Sequence, residues 1–333
     1  MAAAFQAVNV DGSIDYDYER GRWAPLGITL AVRPSRTEEA LIAACADADA
    51  IIGEFTATPF TRRVLTALPR RCRLIVKYSV GVDNIDVSAA TELGIVVANS
   101  ADYCTEEVSD HALALILASG RRILTMDHFV REGRWAGFSK AYPLRRMSEL
   151  TVGLIGMGRI ARATARKLGG FRMKVVATDP VVPVGTTVDG VEIVPLAEVL
   201  RQADFVSVHV PLTPQTRGMI NAAVLGAMKP TAILVNTSRG PVVDEPALIA
   251  ALREHRLGVA ALDVVAAEPL AADSPLRHFD SVILTPHTGA ESAEALQQAR
   301  RTVADSVAAV CQGRWPTFPV NRQVIPRFPL VGA

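Results

Sequence analysis

The sequence predicts an α/β fold of two domains, each built on a parallel sheet, with one domain inserted into the other. Short runs of branched apolar residues alternate with helical stretches from the start of the chain, and that alternation restarts near Thr151 after one long helical segment. A chain of 333 residues also exceeds one average domain and suffices for two apolar cores.

The first series of strands is expected at residues 6–10, 28–32, 50–53, 74–77 and 95–98, with helices near 37–46 and 59–68. Repeated βα units of this kind imply a parallel sheet. A helix over 105–121 follows, with Glu106, Glu107 and Asp110 in its first turns, where the helix dipole favours acids. It is expected to bridge the domains, and Leu113, Leu115, Ile116 and Leu117 give it more apolar surface than one packing face needs. The second series reads as a strand at 152–155, a helix at 159–168, and strands at 174–177, 205–209, 233–236, 259–262 and 282–285. An alanine-rich helix spans 293–310, and Pro316, Pro319, Pro326 and Pro329 mark an irregular tail expected to pack back on the first domain. The outer domain is therefore placed at 1–102 plus 291–333, and the inner one at 103–290.

Composition excludes several classes. Half the residues are hydrophobic, few are aromatic, and charges balance to +1, the profile of a soluble α/β enzyme. The basic pairs Arg70-Arg71 and Arg145-Arg146 are short and lack interleaved aromatics, so they read as solvated surface and no nucleic-acid partner is expected. Cys45, Cys72, Cys104 and Cys311 form no C-x-x-C, which suggests neither a metal site nor a disulfide frame. The N-terminus lacks the basic and apolar regions of a signal peptide, and the apolar run 112–118 is too short to span a bilayer. A cytoplasmic protein with no membrane partner is expected.

The strongest local signal is Val152-Gly153-Leu154-Ile155-Gly156-Met157-Gly158-Arg159-Ile160-Ala161, an apolar strand running into glycines and then a helix. This is G-x-G-x-x-A in the context that a dinucleotide-binding, Rossmann-like domain requires. Gly156 permits the tight turn, Gly158 lets the backbone approach a pyrophosphate, and Ala161 allows close helix packing. The free N–H groups of the helix N-terminus suit the phosphates. The next strand ends in Asp179, near the spacing of about 20 residues at which the fold places an acid for the adenosine ribose. A carboxylate there accepts ribose hydroxyls and repels a 2′-phosphate, which favours NAD over NADP. The plainer reading makes Asp179-Pro180 an ordinary strand-end turn.

Three later segments narrow the field: Asn236-Thr237-Ser238-Arg239-Gly240-Pro241-Val242-Val243-Asp244, Ala261-Leu262-Asp263-Val264-Val265-Ala266-Ala267-Glu268-Pro269 and Leu284-Thr285-Pro286-His287-Thr288-Gly289. With Lys77-Tyr78-Ser79-Val80-Gly81-Val82-Asp83-Asn84-Ile85-Asp86 and His209-Val210-Pro211-Leu212-Thr213, they resemble the D-isomer-specific 2-hydroxyacid dehydrogenases over most of the chain. The resemblance implies a doubly wound NAD domain inserted into a smaller flavodoxin-like substrate domain, a small 2-hydroxy or 2-keto acid substrate, and a homodimer. It carries a catalytic trio onto Arg239, Glu268 and His287. Reduction of a 2-keto acid needs a hydride at carbon, a proton at oxygen and a cation for the carboxylate. Imidazole titrates near neutrality and suits the proton step, a glutamate beside it steadies the imidazolium, and the planar guanidinium fork suits a carboxylate. The same resemblance implies that Tyr78, Ser79, Val80 and Gly81 meet substrate, with the loop amides on its carboxylate; Tyr78 is a candidate wall or, equally, a packed core tyrosine. Lobe closure would then assemble the site and expel water. It implies that Asp263 faces the nicotinamide carboxamide, that His209, Val210, Pro211, Thr216, Thr237 and Ser238 line the dinucleotide, and that Arg159 and Ile160 lie over the pyrophosphate.

Taken singly, an arginine after a strand, a glutamate before proline and a turn histidine are ordinary surface features; their combination in one inserted domain carries the inference. His111, His128, His209, His255 and His278 lack such company and read as structural, with His209 left to touch the cofactor through its backbone. Formate dehydrogenases share the architecture but characteristically have glutamine where Glu268 stands. The segment Tyr103-Cys104-Thr105-Glu106-Glu107-Val108-Ser109-Asp110-His111 is similar to the C-terminal-binding co-repressors, NADH-sensing interaction proteins, which makes that class the alternative. Those proteins follow the histidine with Thr-Ala-Trp, whereas here Thr288-Gly289-Ala290 follows. Phosphoglycerate dehydrogenases are similar too, and only a short form without a regulatory domain is expected.

Overall fold

The structure is a computed structural model that describes residues 4–12, 14–55, 58–135 and 144–332. It separates into two compact units, Met1–Tyr103 with Ser292–Ala333, and Cys104–Glu291.

In the outer unit the strands are β1 (Phe5–Asn9), β2 (Ile28–Val32), β3 (Ala50–Gly53), β4 (Leu74–Lys77) and β5 (Val96–Ala98). They pair in parallel in the order β2-β1-β3-β4-β5, the flavodoxin-like arrangement. Every residue of β3, β4 and β5 is buried, which is why these strands read as unbroken apolar runs and not as alternation. The helices α1 (Asp17–Trp23), α2 (Glu38–Ala44), α3 (Arg62–Ala67) and α4 (Val87–Glu92) are short. Thr37, Thr61 and Asp86 start the last three by accepting the N–H of Ala40, Val64 and Ala89, satisfying donors that the first turn leaves orphaned.

The terminal helix, Ala293–Cys311, belongs to this unit and buries Ala299, Val303 and Val307 against Trp23, Leu74 and Val76. Trp23 Nε1 donates to Ala304 O at 3.0 Å. Fully buried Glu19 receives Arg300 Nη2 at 2.7 Å and Nε at 3.0 Å, the paired geometry a buried charge requires. Of the two readings of Tyr78, wall or core, its side chain takes the core one. Its side chain packs in this cluster, its hydroxyl donates to Glu19 Oε1 at 3.3 Å, and burial with the nearby Glu19 carboxylate pushes the phenol well up.

The inner unit holds β6 (Thr151–Ile155), β7 (Lys174–Thr178), β8 (Thr187–Val188), β9 (Val191–Ile193), β10 (Phe205–Val208), β11 (Ile233–Asn236), β12 (Val259–Leu262) and β13 (Val282–Leu284). The sheet runs β13-β12-β11-β10-β6-β7-β9-β8 and is parallel except for the β8–β9 hairpin. Strand order reverses at β6, which lies between β7 and β10; such a switch point opens a crevice at the carboxyl ends of the strands.

Helices α5 (Thr105–Gly120) and α6 (Ile123–Arg131) open this unit. The expected bridging helix lies wholly within it, and its Leu115 and Ile116 are buried against Leu154 and Phe205 in the core. Unclaimed apolar surface sits on the next helix and just past it, where Ile123 is 56%, Leu124 49%, Val130 48% and Trp135 82% exposed. Among the described residues no helix is long and apolar enough to cross a membrane.

Candidate active site

Most inner-unit residues singled out from sequence lie at or just beyond the carboxyl ends of parallel strands: Gly156 after β6, Asp179 after β7, His209 after β10, Thr237 to Arg239 after β11, Asp263 after β12 and His287 after β13. Thr216 and Glu268 stand farther along the loops after β10 and β12.

The turn after β6 needs its glycines for two different reasons. Gly156 has a φ of +97°, and a Cβ there would stand 2.8 Å from the carbonyl oxygen of His209 on the neighbouring strand end. Gly158 has ordinary extended backbone, and a Cβ added to it meets nothing within 4 Å. It opens helix α7 (Arg159–Gly169), whose N-terminus has no side-chain cap, while Ala161 is fully buried beneath. Asp179 braces this turn: Oδ2 accepts Met157 N at 2.8 Å and Oδ1 accepts Val181 N at 2.8 Å and Val182 N at 3.3 Å. The carboxylate is thus a strand-end turn residue, and its oxygens retain lone pairs for further donors.

After β10 the His209 ring turns inward to Ser207 Oγ at 2.9 Å, and burial pulls its pKa down to about 4, so it is neutral at physiological pH. Only its backbone lies at the glycine turn. Val210 is buried, and Thr216 Oγ1 donates to Pro211 O at 2.6 Å and accepts Thr213 N at 2.8 Å, closing the loop. After β11, buried Asn236 shapes the next turn: Oδ1 accepts Ser238 N and Ser238 Oγ, and Nδ2 donates to Arg239 O. The guanidinium of Arg239 contacts Ser238 O at 2.8 Å. Gly240 is packed so closely on the backbone of Val265 that a Cβ would collide with its carbonyl. The arginine turn and the start of the loop carrying Glu268 are therefore pressed together.

Glu268 divides its carboxylate. Oε1 accepts Val265 N at 3.2 Å, fixing its own loop, and Oε2 meets His287 Nδ1 at 2.6 Å. Glu245, at the start of a helix, holds the same loop by accepting Ala266 N at 3.0 Å. With Nδ1 engaged, Nε2 is the imidazole nitrogen without a partner among the described residues, and the pair stays partly open to solvent.

His287 has a φ of +57°, a left-handed backbone that costs a non-glycine residue about 1 kcal/mol. The turn is over-determined. His287 N donates to Asp263 O at 2.8 Å, while Thr288 N and Gly289 N donate to the two Asp263 carboxylate oxygens at 3.0 Å each. Thr285 Oγ1 donates to Oδ1 at 2.6 Å, and His111 Nε2 stands 3.3 Å from the same oxygen. Burial alone would raise the Asp263 pKa, but the bonds from His111, Thr285, Gly289 N and Thr288 N outweigh it and hold the carboxyl far below the usual range. With a side chain only 2% exposed, Asp263 braces the histidine turn from within. His111, read from sequence as solitary, belongs to this network. Its partner Thr285 is 174 positions away in the chain, so no local pattern announces it.

In the outer unit, the loop after β4 has its carbonyls claimed: Ser100 N donates to Ser79 O at 3.2 Å and Asn99 Nδ2 to Val80 O at 2.6 Å. The amides of Ser79, Val80 and Gly81 have no partner among the described residues.

A dinucleotide fits the inner unit on three counts. The Gly158 position is open where backbone would approach a pyrophosphate, the α7 N-terminus has no side-chain cap, and Thr237 Oγ1 is buried in the turn after β11 without a hydrogen-bond partner among the described residues.

Comparison with known proteins agrees. Residues 113–289 match the sequence model described as D-isomer specific 2-hydroxyacid dehydrogenase, NAD binding domain. The chain is 40% identical over 294 residues to a glyoxylate reductase of Korarchaeum cryptofilum, covering 87% of each protein. It is 39% identical over 303 residues to a D-3-phosphoglycerate dehydrogenase of Mycobacterium leprae, covering 90% of this chain and 56% of that protein. Among solved structures, a glyoxylate reductase from Paecilomyes thermophila superposes with a TM-score of 0.88 at 28% identity, over 97% of this chain and 100% of that one. The chain belongs to the D-isomer specific 2-hydroxyacid dehydrogenase family, and it is an NAD-dependent enzyme of that class.

Proposed function

We propose that the protein reduces a small 2-keto acid to the D-2-hydroxy acid with NADH, with His287 as acid and base, Glu268 orienting it and Arg239 binding the substrate carboxylate. The observation that carries this is the 2.6 Å bond between Glu268 Oε2 and His287 Nδ1, which directs Nε2 to the proton step. NADH supplies the hydride. In reduction, protonated His287 gives its Nε2 proton to the substrate oxygen, and the ionised Glu268 steadies the imidazolium until then; in oxidation the neutral ring takes the proton back. Arg239 stays charged throughout and offers two parallel donors to the carboxylate, polarising the adjacent carbonyl.

The cofactor-binding set follows from the strand-end loops. Backbone at Gly156, Gly158, Arg159 and Ile160 would hold the pyrophosphate, Asp179 the ribose hydroxyls, and His209, Val210, Pro211, Thr216, Thr237 and Ser238 the rest of the dinucleotide, with His287 and Arg239 at its reactive end. The amides of Ser79, Val80 and Gly81 are assigned to the substrate, because they have no partner among the described residues. Domain roles follow: the outer unit selects the acid and the inner one binds NAD. Relatives named glyoxylate reductase make glyoxylate the first candidate substrate. The exposed apolar residues of α6 and Trp135 support a homodimer; a monomer mass by light scattering would remove it.

The test is NADH oxidation followed with glyoxylate, hydroxypyruvate, pyruvate, phenylpyruvate, 2-ketoisocaproate and phosphohydroxypyruvate. Turnover with at least one, lost by roughly 10²- to 10⁴-fold in His287→Ala with NADH affinity retained, is expected. Unchanged turnover in His287→Ala removes the acid–base assignment.

A further inference from the structure

The site described so far uses residues at strand ends, whereas His111 comes from the middle of a helix. Its Nε2 lies 2.9 Å from Thr285 Oγ1 and 3.3 Å from Asp263 Oδ1. Counting protons fixes the direction of these bonds. Thr285 has one hydroxyl proton, and its 2.6 Å bond to Asp263 Oδ1 uses it. The ionised carboxylate has none. His111 Nε2 therefore carries a proton and donates into the pair.

The packing leaves this triangle little freedom. A Cβ on Gly289 would stand 2.8 Å from Asp263 Oδ2 and 3.4 Å from His111 Cδ2. Asp263 holds both ends of the histidine turn, through Thr285 before His287 and through Thr288 and Gly289 after it. Those bonds join the ends of β12 and β13 only to each other, leaving the turn to be tied to another element. His111 supplies that tie from a helix packed on the same sheet.

We infer that His111 is a positioning residue for the reaction: by donating to Thr285 and Asp263 it locks the left-handed turn that aims His287. This rests on the reading of His287 as the acid–base group.

The experiment compares His111→Leu, His111→Gln, Thr285→Val and the double variant His111→Leu/Thr285→Val in the full-length protein. Readouts are kcat and KM for the best keto acid, the NADH dissociation constant by fluorescence, and the ¹⁵N shifts of the His287 ring. His111→Leu should lower kcat on the order of 100-fold, the effect of a misplaced reacting group, with NADH affinity unchanged. Glutamine can put an amide N–H where Nε2 stands, so His111→Gln should recover most of that loss and restore the parental His287 shifts. The double variant should lose no more than the worse single one, because both break the same link. Parental kcat in His111→Leu, a glutamine variant no better than the leucine one, or losses that multiply would each overturn the inference. If His111→Leu does not fold, Thr285→Val, which keeps the volume and removes the hydroxyl, is judged by the same kcat and NMR criteria. Should His287→Ala retain turnover, the acid–base reading fails by itself, and the His287 shifts still decide whether His111 fixes the turn.

Discussion

The turn after β6 and the turn after β13 both end parallel strands of one sheet, yet they are built on opposite plans. The first uses glycine wherever the backbone is unusual: Gly156 takes the positive φ, and Gly158 leaves open space beside a helix N-terminus. The second puts a histidine in the left-handed region and surrounds it with hydrogen bonds to a buried aspartate. Where backbone is to meet a ligand, a missing side chain is the asset. Where a side chain is to meet it, the backbone accepts strain and neighbouring groups hold it there.

Asp263→Ala should have the largest effect on stability, because it strands the Thr285 hydroxyl and the N–H groups of Thr288 and Gly289. A loss of about 3–5 kcal/mol in urea unfolding is expected, at 1–3 kcal/mol for each unsatisfied buried group with partial relaxation. The acid profile sharpens this. The folded carboxyl lies below its unfolded value, so its contribution is complete above about pH 4 and is lost as pH falls toward the folded value. Stability of the parent should therefore fall more steeply than that of the variant below about pH 4; parallel profiles would mean the carboxylate does not hold the turn.

Gly156→Ala should come next, at about 2 kcal/mol, since it combines an unfavourable φ with a Cβ pressed on the His209 carbonyl. A smaller change of opposite sign is expected at the other turn. His287→Gly should be about 1 kcal/mol more stable than His287→Ala, because glycine relieves the left-handed strain; equal stabilities would show that the turn is not strained. Gly158→Ala should move stability least, by under about 0.5 kcal/mol, while weakening NADH binding by roughly tenfold, as measured by fluorescence titration. A Gly158 variant as unstable as the Gly156 one would erase the contrast between the two turns.

The same contrast explains what was legible in the sequence. A glycine-built turn announces itself locally, because strand, glycines and helix are contiguous, and buried strands such as β3, β11 and β12 stand out as apolar runs. The pairing of Glu268 with His287 came from family motifs, not from spacing. The web around Asp263 was invisible, since His111, Asp263 and Thr285 meet only through the fold. Tyr78 stayed open between wall and core, because the partner that claims its hydroxyl, Glu19, lies 59 positions earlier. Helices α1 and α4 and the β8–β9 hairpin escaped notice because they are too short for periodicity to register and depend on tertiary packing.

The collision that any side chain at position 240 would have with Val265 has a bearing on protein engineering. It makes the seam between the arginine turn and the glutamate loop a shared boundary, so neither segment can be exchanged for a homologous one without also matching the backbone of the other. Attempts to retarget this enzyme by grafting loops should treat the two as one cassette and leave that glycine in place.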